Sequence, residues 1–182
     1  MKRGKKNLSE FIILTNDPSL TGWGYSVVTA AGEVLEADCI KTVPEHKKRR
    51  IRQGDDRVRR ICEINEILIQ VIRKYDVQYI LSELPHGSQS ATAAIMIGIT
   101  TGIVQTLADC CGIPVEWYSE SDTKKFMLHK MSATKDEMIQ AVRAKLTVPW
   151  KRVKYKDEAI ADALAIFLTA RRQSNAIQLL SR

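Results

Sequence analysis

Three stretches place carboxylates beside apolar runs. Asp17 follows Phe11–Leu14 at the end of "FIILTND" and precedes Pro18. Glu83 follows "VQYIL" and precedes Leu84-Pro85. In "KDEAIADALAIFL", Glu158 and Asp162 are four residues apart and share a helix face, whereas Asp157 is rotated away from Asp162. Asp-Pro also opens turns for local backbone reasons, and Asp157 or Glu158 suits the first turn of a helix through its dipole. Neither reason covers Asp162, which lies among Ala161, Ala163, Leu164 and Ala165. Like charges at that spacing repel, and a metal ion would offset the repulsion. Oxygen donors without His or Cys suit Mg²⁺ or Mn²⁺. Two such ions, about 4 Å apart, activate a water and stabilise the leaving oxygen of a phosphodiester.

A basic surface would hold such a polyanion. The net charge of +7 is uneven: Lys47, Lys48, Arg49, Arg50, Arg52, Arg57, Arg59 and Arg60 face only Asp55 and Asp56 within one short segment. Lys151, Arg152, Lys154 and Lys156 form a second cluster. Arg49, Arg50, Arg52, Lys151 and Arg152 are therefore candidate DNA contacts through phosphate neutralisation, against the alternative of solvated faces. Trp150, in "VPWKRVKYK", is a candidate for base stacking. Cys39, Cys62, Cys110 and Cys111 show no metal-site spacing and read as small core residues in a reducing compartment. The apolar stretch from Ala91 to Cys111 is broken by threonines, Gln105 and Asp109, so it reads as a buried helix, and no membrane association is expected. No signal peptide is recognisable, and a cytoplasmic location is expected.

The elements that must position these groups follow from periodicity. Phe11–Thr15, Gly22–Ala30 and Val34–Thr42 read as three strands in an antiparallel meander, with a hairpin turn at Ala31-Gly32. Apolar spacing of three and four predicts a helix from Val58 to about Tyr75. Val77–Leu81 and Ile113–Tyr118 add two strands. An apolar helix lies between them, with Gly98 and Gly102 where another backbone could approach. Asp122-Thr123 can cap a short helix, Ser132 or Thr134 precedes the helix "KDEMIQAVRAKL", and Asp157–Arg171 is the last helix. The fold class is α/β, a mixed five-stranded sheet flanked by helices. Residues 1–10 read as a basic flexible tail, 11–172 as one domain and 173–182 as a C-terminal tail. Pairing of the first and fourth strands would bring Asp17 and Glu83 to one crevice at the strand ends.

The motifs "NDPSLTGWGYSVV", "YILSELPHG", "SATKDEMIQAV" and "IADALAIFLTA", in this order, resemble the RuvC-type Holliday-junction resolvases of the ribonuclease H-like fold from Phe11 to Ala170. The resemblance implies that Asp17, Glu83 and Asp162 are metal-binding catalytic residues. It also implies that Lys124 or Lys125, together with Lys135, contacts DNA near the scissile phosphate. A homodimer would nick two symmetry-related strands of a four-way junction. Its two-fold contact would use the helix around Gly98 and Gly102 or the one from Val58, unless these serve the core. The family's acid or His three residues before the last Asp is Ala159 here, so Glu158 is the substitute ligand, with Asp157 behind it. Thr15 and Asn16 stand where the family has a Gly and an apolar residue. Such divergence resembles phage-encoded members, which work in the host cytoplasm. A nuclease for RNA or RNA–DNA hybrids and a non-cleaving architectural DNA-binding protein are the competing readings.

Overall fold

The structure is a computed structural model that describes residues 11–180. The basic tail expected at 1–10 lies outside the described residues. Strand β1 (Ile12–Asp17) is the middle strand of a five-stranded sheet. Helices cover both its faces, which is why its sequence begins with three successive apolar residues rather than alternating. Ile13 and Leu14 point to opposite faces and join the two hydrophobic clusters of the molecule. Strands β2 (Gly22–Thr29) and β3 (Val34–Lys41) complete the expected antiparallel meander. On the other side of β1, β4 (Tyr79–Glu83) and β5 (Val115–Tyr118) run parallel to it, giving the order β3-β2-β1-β4-β5.

Of the helices, α1 (His46–Arg49) is a single turn, and α2 (Gln53–Tyr75) and α3 (Ala91–Cys111) cover one face. The other carries α4 (Glu120–Leu128), α5 (Lys135–Arg143), α6 (Lys154–Gln173) and α7 (Asn175–Leu180). Helix α2 begins five residues before Val58, with Asp55 and Asp56 in its first turn, where the helix dipole favours acids. The cap of α4 is Ser119, whose side chain accepts from the Asp122 amide, rather than Asp122-Thr123. Thr134, not Ser132, caps α5, and Glu137 closes a capping box with it. The expected C-terminal tail is corrected: Ser174 accepts from the Ile177 amide to start α7, and Ile177 is fully buried in the core. The packed unit therefore runs past 172.

The expectation of a buried apolar helix holds for one stripe of α3. Thr100, Ile103, Val104, Leu107 and Ala108 are buried, while Ile95 is 51% exposed and Gly98 and Gly102 are exposed. Among the described residues no other element approaches those two glycines, since a Cβ on either would meet nothing within 4 Å. The close approach is elsewhere. A Cβ on Gly24 in β2 would stand 2.2 Å from the carbonyl oxygen of Ala159 in α6 and 3.0 Å from its Cβ. Replacing Gly24 with Ala must therefore push α6 off the sheet. Gly24→Ala is expected to destabilise the protein by about 1–3 kcal/mol, read as a lower urea midpoint.

Candidate active site

The pairing of β1 with β4 places Asn16 opposite Ser82, so Asp17 and Glu83 are the next residues on adjacent parallel strands, whose spacing is about 4.8 Å. Asp17 is also opposite Gly24 on β2. Because Gly24 admits the Ala159 carbonyl, α6 lies on the sheet at this level. Asp162, one turn further along the same face, is thereby brought to the ends of β1 and β4. A fourth acid enters from α4, where Glu120 stands two residues beyond Tyr118, the partner of Glu83.

The charges oppose one another. Burial, then Asp162 and Glu83, holds the Asp17 carboxyl well above the usual carboxylate range, against the pull of Lys135. Burial, then Glu120 and Asp162, pushes Glu83 from 4.5 up to about 7. Burial raises Asp162 although Lys135 pulls it down. The Lys135 ammonium forms an ion pair with Asp162. Burial disfavours its charge, but Asp162, Asp17 and Glu120 outweigh that and raise its pKa. Lys124 pairs with Glu120 and holds that carboxyl below its usual value.

Thr15 and Asn16 serve packing rather than the crevice. Thr15 and Ser26, both fully buried, share a hydrogen bond of 2.5 Å between hydroxyls, and Trp23 Nε1 donates to Asn16 Oδ1 at 3.0 Å. Other expected residues lie further from the acid cluster in role. Glu158 has a quarter of its side chain exposed and faces Lys154 at 4.0 Å. The charges acting most on Asp17, Glu83 and Asp162 include Glu120, Lys135 and Lys124, but not Glu158. Asp157 is buried and its Oδ1 accepts from the Lys151 amide at 2.9 Å, anchoring the loop before α6. Lys125 is exposed. Arg49 pairs with Glu45 at 2.6 Å, while Arg50 and Arg52 are exposed in the connection to α2. Lys151 pairs with Asp38 at 3.2 Å, and Arg152, at φ 59°, is exposed. The Trp150 ring carries the Arg143 guanidinium at 4.9 Å and packs against the core.

Two residues escaped the sequence reading. Glu120 belonged to none of the motifs singled out, and its place two residues after the fifth strand was the signal. Arg60 lies on the buried stripe of α2 with Ile64, Leu68 and Val71, a basic residue at an apolar position. The oxygen donors of Asp17, Glu83 and Asp162 fit a hard divalent cation in chemistry, and their mutual repulsion is what such an ion relieves. As the side chains stand, no three Asp, Glu, His or Cys residues close around one ion among the described residues, and Lys135 supplies the counter-charge.

Comparison with known proteins agrees with this geometry. The family model "Crossover junction endodeoxyribonuclease RuvC" matches residues 13–170. A protein of that name from Rhodopirellula baltica is 31% identical over 160 residues, spanning 86% of this chain and 83% of the relative. One from Treponema denticola is 29% identical over 168 residues, spanning 91% and 87%. Among solved structures, T. thermophilus RuvC in complex with Holliday junction substrate superposes with a TM-score of 0.68 at 22% identity, covering 94% of this chain and 96% of that one. The yeast mitochondrial Holliday junction resolvase Ydc2 gives 0.61 at 11% identity, covering 96% and 86%, and so shares the fold. The paired strand-end acids, the late-helix Asp162 and this match over most of the chain lead to one conclusion: the chain belongs to the RuvC family of crossover junction endodeoxyribonucleases.

Proposed function

We propose that this chain resolves four-way DNA junctions by hydrolysing one phosphodiester in each of two symmetry-related strands, with Asp17, Glu83 and Asp162 holding Mg²⁺ or Mn²⁺. The observation that carries this reading is the convergence of three mutually repelling carboxylates from β1, β4 and α6 at one strand edge, beside Lys135 and Lys124. One or two divalent cations, when bound, would lower the pKa of the attacking water and stabilise the leaving oxygen. The three carboxylates would hold such ions through their charged oxygens, and Lys135, beside Asp162, would be placed to pair with a phosphate oxygen. Lys124 is restrained by Glu120 at the rim, where a second phosphate would compete for it. The work is placed in the cytoplasm, that of the host if the chain is phage-borne.

A second copy completes the molecule. The exposed stripe of α3 formed by Ile95, Gly98 and Gly102 is apolar and small, and suits close helix packing against a symmetry mate. Beside it, a cleft of 260 Å³ is lined by Asn65, Ile99, Gly102, Ile103, Thr106 and Leu107. Buried Asn65 Oδ1 has no hydrogen-bond partner among the described residues, an acceptor that a partner side chain would satisfy.

With a labelled four-way junction and Mg²⁺, paired symmetric nicks are expected. Asp17→Asn should lose on the order of 10²–10³-fold in rate while retaining junction binding in gel shifts. Cleavage of hybrids alone would select the hybrid nuclease, and nicking unchanged in Asp17→Asn would end the metal-carboxylate reading. The raised pKa of Glu83 gives a second expectation. The stability of its protonated form is complete below about pH 4.5 and lost as pH rises through about 7. Glu83→Gln should therefore melt above the wild type at pH 8 in EDTA, by about 3–8 °C, and the gap should close toward pH 4.5. Mg²⁺ should raise the wild-type Tm at pH 8 and leave the variant nearly unmoved. For assembly, sedimentation velocity is expected to show a wild-type dimer and an Ile95→Lys monomer with an unchanged Tm.

A further inference from the structure

A concavity separate from the acid cluster lies between the β1–β2 connection, α2 and the start of α3. It encloses 180 Å³ and is lined by Thr21, Gln53, Asp56, Arg57, Arg60 and Thr92, among others. A water takes about 30 Å³, so a phosphate group and a few waters fit. Arg60 is 6% exposed. Its Nε donates to Thr42 Oγ1 at 2.7 Å, and its Nη2 donates to the Leu20 carbonyl at 3.0 Å and to Thr21 Oγ1 at 2.8 Å. These bonds fix the edge of the guanidinium, and Nη1 makes none among the described residues. Arg57, one turn earlier on α2, is half-exposed and makes no ion pair among the described residues. Asp56 also lines the cavity, but its Oδ1 accepts from Arg59 Nη2 at 2.8 Å and from the Glu45 amide at 3.2 Å, so its charge is already shared.

The third wall is the N-terminus of a long helix. Ser90 caps α3, its side chain accepting from the Ala93 amide, and its carbonyl accepts from the Ala94 amide. The Ala91 and Thr92 amides precede the first intrahelical bond and form the positive end of the helix dipole. A buried guanidinium, a second cation, a hydroxyl and a helix N-terminus around a small cavity are the parts of a phosphate site.

The cavity also adjoins a cleft that reaches Glu83. Leu20 and Met96 line both it and a neighbouring cleft of 310 Å³ that includes Pro18, Ser19 and Glu83. We propose that Arg57, Arg60 and the N-terminus of α3 hold a backbone phosphate of the bound strand, next along from the phosphate cut at Asp17 and Glu83. This rests on the reading of the protein as a DNA-cleaving enzyme. It assigns the pocket a measurable duty: to set how far the strand slides across the acids before it is cut.

The test measures binding of a labelled four-way junction in EDTA, where nothing is cut, at several salt concentrations. Each phosphate contact contributes about 0.9 to the slope of log K against log salt. Arg57→Ala should lower that slope by about 1 and weaken binding about tenfold at 0.1 M salt. Single methylphosphonates placed along the cleaved strand should weaken the wild type at one position beside the cut and have no added effect there in Arg57→Ala. A wild-type slope and affinity in Arg57→Ala overturns the proposal, as does a methylphosphonate effect that persists undiminished in the variant at every position. If the wild type binds linear duplex as tightly as the junction, the junction reading fails, and the same slope comparison on duplex still decides the pocket. A wild type that binds no DNA overturns both.

Discussion

The contact on which the site depends is backbone against backbone. Gly24 has no side chain, so the Ala159 carbonyl can lie against β2 and the whole of α6 settles one side chain deeper onto the sheet. Asp162 is carried with it to the level of Asp17, the residue opposite Gly24. Helices normally stand off a sheet by the depth of their side chains, and Ile160, Leu164 and Phe167 fill that depth elsewhere along α6. At the functional end the depth is removed. What brings two carboxylates together is thus a local absence of volume, held in place by the apolar packing of the rest of the helix.

Such a cluster opposes its own folding. Asp17, Glu83 and Asp162 each carry a raised pKa, because burial and one another make their charged forms costly. The strain is tolerated because α6 is buried along almost its whole length and because Lys135 rests on Asp162. Two cations are held at this cluster by ion pairs, Lys135 to Asp162 and Lys124 to Glu120.

Much of this was readable from residue order alone. The meander, the two further strands and the acids that end the first and fourth strands follow from short apolar runs that stop at Asp17-Pro18 and Glu83-Leu84-Pro85. Asp162 stood out because nothing in an alanine-rich face explains a charge. Fold class and family followed from four motifs in sequence. What was not readable required distance across the fold. Glu158 shares a nominal face with Asp162, yet it turns to Lys154, since helical spacing fixes direction to within a turn and not the neighbour that is met. Asp157 looked like a spare ligand and is occupied by the Lys151 amide. The glycines of α3 looked like points of close approach, whereas the close approach is at Gly24, where the signal was a glycine inside a strand. Net charge overstated the free basic surface, because Arg49, Arg59, Lys151 and Lys156 are already paired with acids.

The polar pair at Thr15 and Asn16 has a consequence for folding fidelity. Thr15 meets Ser26, and Asn16 meets the Trp23 indole, all of them buried in the middle of the sheet. A β1 strand that zipped up one residue out of step would turn each of these groups to the opposite face and leave several without a partner. Each such orphan costs about 1–3 kcal/mol. An all-apolar strand would forgive that error, because one aliphatic residue packs much like the next. Here the mispaired sheet is heavily penalised, and the chain that survives folding is the one in which Asp17 ends at the height of Gly24 and Glu83.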